Sequence, residues 1–138
     1  MSSRSPHGEP GMMAAILDGG ASMLTVLSFL FLVVMLAGSA LAVLERRGRA
    51  LPLKVSATHG VLGILAIVLL VMQAMAHPAN HPANLAILIF MLAALGGLLL
   101  FAFRAAKQAL PLGVVLLHGL FAVVGLLFLV VGCLRAGG

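Results

Sequence analysis

Four apolar runs, Ala21 to Leu44, Val55 to Ala76, Leu85 to Phe103 and Leu112 to Leu134, fill most of this 138-residue chain, and no Asp, Glu, Lys or Arg interrupts any of them. Each has roughly the 20 residues a helix needs to cross the hydrocarbon of a bilayer. A backbone surrounded by lipid must satisfy its own N–H and C=O groups, which leaves helices or a closed barrel. The runs are apolar on every face and lack the alternation of a membrane barrel. With 63% hydrophobic and 8% charged residues, the composition is far from that of a soluble domain, about a quarter of which is charged. The expected fold is an all-α integral membrane protein, a four-transmembrane-helix bundle.

A repeat organises the runs. Leu51-Pro52-Leu53, Val55 and His59-Gly60 recur as Leu110-Pro111-Leu112, Val114 and His118-Gly119, an offset of 59 residues. The same offset relates Phe31 to Phe90, Leu36 to Leu95, Gly38 to Gly97 and Leu41 to Leu100. The chain therefore reads as two tandem parallel helical hairpins. An outward-facing tail over residues 1–20 precedes a first repeat over 21–76, an outer loop over 77–84 and a second repeat over 85–138. An even number of helices per repeat preserves orientation, so the halves are related by an axis along the membrane normal, with helices two and four on one diagonal. Pro52 and Pro111 mark the starts of helices two and four, where a missing N–H costs nothing. The prolines of His77-Pro78-Ala79-Asn80-His81-Pro82-Ala83-Asn84 end helix two, and Asn84 is placed to cap helix three.

Charge sets the expected orientation. Six of the eight basic residues, Arg46, Arg47, Arg49, Lys54, Arg104 and Lys107, lie in the first and third connections. Short basic loops face the cytoplasm, so both termini and the 77–84 loop are expected outside, in a bacterial inner membrane. The formal charge of +5 thus reflects topology; no basic stripe interleaved with aromatics exists to bind nucleic acid. Residues 1–20 lack the basic start and short apolar core of a cleavable signal and read as a tail, with Met12 to Leu17 a candidate interfacial segment. The single cysteine, Cys133, excludes an intrachain disulfide or a cysteine metal cluster. With no Trp or Tyr, the usual interfacial anchors are missing and something else must fix helix depth.

Only two histidines fall deep within the apolar runs, and they are repeat mates: His59 and His118. Each follows its helix-starting proline by seven residues, about 10 Å of helix. Small residues follow at the fourth position (Gly63, Ala122) and the seventh (Ala66, Gly125), on the same helix face. The expected cofactor is one haem b, its iron ligated axially by both imidazoles, with the small residues admitting the macrocycle. Close helix packing competes with that reading, since small residues draw membrane helices together and a histidine can bond a neighbouring helix. Another tetrapyrrole, such as a chlorophyll on each histidine, and a quinone near Thr58 and Gln73 are the other options. In helix number and paired histidines the chain resembles the four-helix b-type cytochromes; the resemblance ends at architecture, because those families carry more intramembrane histidines and no signature motif is present.

Other polar residues exclude more than they offer. His77 and His81 have the HxxxH spacing of a metal grip, but Pro78 and Pro82 favour a solvated turn over a helix there. The runs hold no carboxylate for a proton pump or ion-coupled transporter and no acid-oriented serine and histidine for hydrolysis. Most of the remaining hydroxyls are expected to bond their own helices, and Met35, Met72, Met75 and Met91 to fill core gaps. No catalytic residue is assigned. The expected function is a small electron-transfer subunit serving a quinone pool or redox enzyme. The alternative is a non-catalytic accessory subunit that packs its small-residue faces against a larger respiratory or photosynthetic membrane complex, or against copies of itself.

Overall fold

The computed structural model describes residues 10–49 and 52–137, with side chains from residue 19 onward. It is an all-α bundle of four helices: α1 (Pro10–Arg46), α2 (Leu53–Ala76), α3 (His81–Ala105) and α4 (Leu112–Ala136). All four are long and apolar enough to cross a membrane. In each span at most 17% of the most apolar window is buried inside the protein. Most of the apolar surface therefore faces outward, where only lipid or another apolar surface can cover it. The chain is an integral membrane protein by this measure.

Helix starts follow local chemistry. Pro52 and Pro111 stand immediately before α2 and α4, with ψ of 138° and 119°, the extended backbone that leads into a helix. Asn80 caps α3, its side chain accepting from Ala83 N, and Pro82 follows inside the first turn. The connection from α2 to α3 is therefore shorter than the 77–84 loop that the sequence indicates. Of its two Asn residues the first is the cap, because Pro82 fits the first helical turn, where its missing N–H has no intrahelical partner. Asn84 lies within α3 and donates to Pro78 O. α1 likewise opens at Pro10, inside the stretch read as a tail; the first nine residues of that stretch lie outside the described residues.

The two basic connections share one conformation. After α1, Arg47 N bonds Val43 O, Gly48 N bonds Glu45 O and Arg49 N bonds Leu44 O; after α3, Ala106 N, Lys107 N and Gln108 N bond Ala102 O, Arg104 O and Phe103 O. Every acceptor and donor in one set is the offset-59 mate of its counterpart. The pattern satisfies the last helical carbonyls through a residue in the left-handed region, Gly48 at φ 73° and Lys107 at φ 54°.

Each helix packs on two neighbours, α1 on α2 and α4, and α3 on α2 and α4. This leaves α1 and α3 on one diagonal and α2 and α4 on the other, as the sequence indicates. Repeat mates meet across these diagonals. Phe31 and Phe90 stack with ring centroids 3.8 Å apart and planes 6° from parallel, and Glu45 forms an ion pair with Arg104 at 2.6 Å. The core gathers around the phenylalanines, with Leu24, Leu27, Ala66, Leu70, Ala86 and Leu129 almost fully buried, towards the end opposite the basic connections.

Candidate functional site

His59 and His118 project from α2 and α4 into the bundle and meet across its second diagonal. Their ring centroids lie 6.4 Å apart, with planes 81° from parallel. The pair belongs to a column of repeat mates. Phe31, Gly38 and Glu45 on α1, and Phe90, Gly97 and Arg104 on α3, are spaced by seven residues, two helical turns or about 10 Å. The middle members of both series abut the imidazoles. A Cβ on Gly38 would lie 2.7 Å from His59 Cε1, and one on Gly97 would lie 3.1 Å from His118 Cε1. Glycine is therefore what lets each ring turn inward beside the helix that precedes it.

Orientation of the two rings differs. His118 Nδ1 and the Ala93 carbonyl oxygen are 2.7 Å apart; the oxygen can only accept, so Nδ1 carries the proton and Nε2 is left with its lone pair. The repeat mate of Ala93 is Val34. The buried His59 Nδ1 has no hydrogen-bond partner. An unpaired buried polar group costs roughly 1–3 kcal/mol.

The small residues on α2 and α4 serve a different level of the bundle. Gly125 receives the Phe90 ring, where a Cβ would come within 2.9 Å of Cε1. Its mate Ala66 is wholly buried in the core, Gly63 faces Val34, and Ala122 is half-buried. The residues that border the imidazoles are Gly38, Gly96 and Gly97, on the other two helices. Gly38 and Gly97 were visible in the sequence as repeat mates, but only the fold brings them to the histidines.

Most other polar residues have structural duties. Thr25, Ser28, Ser39 and Thr58 donate to carbonyls one turn back in their own helices, as the sequence indicates for most of these hydroxyls, whereas Ser56 Oγ has no partner. Gln73 donates across to Gly20 O. Fifteen residues of α2, about 22 Å, separate Gln73 from Thr58, so the two cannot line one quinone pocket. Met72, Met75 and Met91 are exposed and do not fill the core. His77 leans on Gly20, whose added Cβ would lie 3.1 Å from Nε2, while His81 is exposed at the first position of α3. Among the described residues, no three His, Cys, Asp or Glu side chains gather as a metal site would require. The chain matches no known protein family, no curated protein and no solved structure.

Proposed function

We propose that this protein is a small electron-transfer subunit of the membrane, in which His59 and His118 are the two axial ligands of one b-type haem. The observation that carries the reading is the placement of the two rings. Their ring centroids lie 6.4 Å apart, near enough that both imidazoles would be available to hold one group between them. Two histidines without a third donor are too few for a bare ion, but they suit an iron whose other four positions a tetrapyrrole fills. Haem supplies a one-electron couple within the membrane.

The chain's own groups would do the rest. The Ala93 carbonyl fixes the His118 ring and its tautomer, the outer-shell support that metal-bound histidines commonly have. The imidazoles fill the space beside Gly38, Gly96 and Gly97, so a haem between them would require α1 and α3 to move apart, while Phe31 and Phe90 close the bundle beyond them. The accessory-subunit reading depends on small-residue faces offered to a neighbour. Ala66 and Gly125 are consumed inside this bundle, so that reading has less to draw on.

A visible spectrum of the purified protein, oxidised and then reduced, tests the proposal. A six-coordinate b-type spectrum that responds to substitution of either histidine is expected. A colourless protein that takes up no added haem would end the proposal and leave the accessory role. The basic connections also favour both termini outside a bacterial inner membrane. A cytoplasmic reporter active after Gly138 and inactive when inserted near Gly48 would reverse that orientation.

A further inference from the structure

At the end opposite the basic connections, a groove of about 370 Å³ runs between α3 and α4. Its walls are Leu85, Leu127, Phe128 and Val131, with His81 and Arg135 at its mouth. Polarity is graded along it. His81 is the first residue of α3 and Arg135 lies in the last turn of α4, whereas the apolar residues lie deeper along both helices. Arg135 lies eight residues beyond Leu127, about 12 Å along the helix. The wall residues are all exposed, and Arg135 forms no ion pair with another described residue.

We infer that this groove is a binding site for an anionic phospholipid, its phosphate held by Arg135 and His81 and one acyl chain lying along Leu85, Leu127, Phe128 and Val131. The helices cross a bilayer, so the groove opens towards lipid tails and its mouth towards headgroups. An arginine fork matches a phosphate, which it can bind with two parallel hydrogen bonds, and the His81 ring offers a further donor beside it. Arg135 is the one Arg or Lys among the described side chains at this end of the bundle. The chain has no Trp or Tyr to set helix depth, and a bound headgroup here supplies that anchor. A second copy of the chain is the less fitting occupant, because its own surface is apolar and would leave Arg135 without a counter-charge.

The site can be tested on the full chain in detergent, offered equal amounts of phosphatidylglycerol and phosphatidylcholine, with retained lipid counted by native mass spectrometry. The wild-type protein should keep phosphatidylglycerol in preference. Arg135→Gln with His81→Gln should reduce that preference about tenfold, Arg135→Lys should keep most of it, and Lys54→Gln, at the other end of α2, should leave it unchanged. Helical circular dichroism of each variant checks that the bundle is intact. Equal retention of both lipids by the wild-type protein, an unaltered preference in the double variant, or a lipid-free dimer would each overturn the inference.

Discussion

The two halves of the chain have the same frame and differ in what they place on it. Both end their first helix with the same three hydrogen bonds, start their second after a proline, and send one phenylalanine, one glycine and one histidine towards the centre. In the second half, however, the imidazole is tied to Ala93 O. In the first half Val34 stands at that position, and the His59 Nδ1 stays unpaired. The first half has glycine in the left-handed turn position and the second has lysine. The repeat thus carries the same backbone turns and packing positions in both halves, while the hydrogen bonding of its histidine differs between them.

The sharpest break in this comparison comes from the histidines themselves. If they ligate haem, His118→Ala removes the ligand already oriented by a backbone carbonyl and should abolish haem retention in purified protein. His59→Ala removes the less constrained ligand and should leave a five-coordinate, high-spin haem. Absorption and electron paramagnetic resonance spectra distinguish the two states. Identical losses in both variants would show that the Ala93 bond confers no advantage. His77→Ala and His81→Ala should leave the spectrum as it is.

Next in size are the phenylalanines, which set the core rather than the site. Phe90→Ala should cost about 3–5 kcal/mol in detergent unfolding, since the ring stacks on Phe31 and also fills the space over Gly125. The halves should again differ. Gly125→Ala places a methyl within 2.9 Å of that ring and should cost about 1–3 kcal/mol by overpacking. Ala66, its mate, already carries the methyl, so no such loss is available in the first half. If Gly125→Ala were neutral, the ring would have room to shift and the core would be looser than its burial implies.

Much of this frame was legible in the sequence. Uninterrupted apolar runs, two prolines and the offset of 59 were enough for the helix number, the starts of α2 and α4 and the diagonal placement of the histidines. Those features act locally or through periodicity, which a linear reading can follow. The start of α3 was misplaced because the duplicated Pro-Ala-Asn offers two caps, and only the packed loop selects Asn80. The sequence points to small residues on the imidazoles' own helices, Gly63, Ala66, Ala122 and Gly125. Side chains that turn inward meet the adjacent helices instead, and which residues those helices present depends on rotation about their axes. The spacing of Phe31, Gly38 and Glu45, mirrored by Phe90, Gly97 and Arg104, was the available signal, because residues seven apart share a helix face.

A smaller effect separates the two turns. Lys107 adopts a left-handed conformation that costs a residue with a Cβ about 1–2 kcal/mol, whereas Gly48 meets no such penalty. Lys107→Gly should therefore stabilise the bundle by about 1 kcal/mol in the same unfolding assay, and Gly48→Ala should destabilise it by a similar amount. A neutral Lys107→Gly would mean that the lysine gains elsewhere what its backbone loses.

The smallest expected effect lies at the end of the column, where the two halves carry opposite charges at equivalent positions. Glu45 and Arg104 approach to 2.6 Å with their side chains 31% and 14% exposed, at the level of the basic connections and the edge of the spans. Ion pairs in such settings contribute only about 0–1 kcal/mol. Glu45→Gln should lower stability by no more than that, with the loss shrinking as salt is raised. The pair stands two helical turns, about 10 Å, from the glycine beside His59, too far for direct contact with either imidazole. Its substitution should leave any haem spectrum unchanged. A spectral shift in Glu45→Gln would instead join the charged level to the histidine level as one functional unit. It would also make the opposite charges of the two halves a feature of the site rather than of the fold.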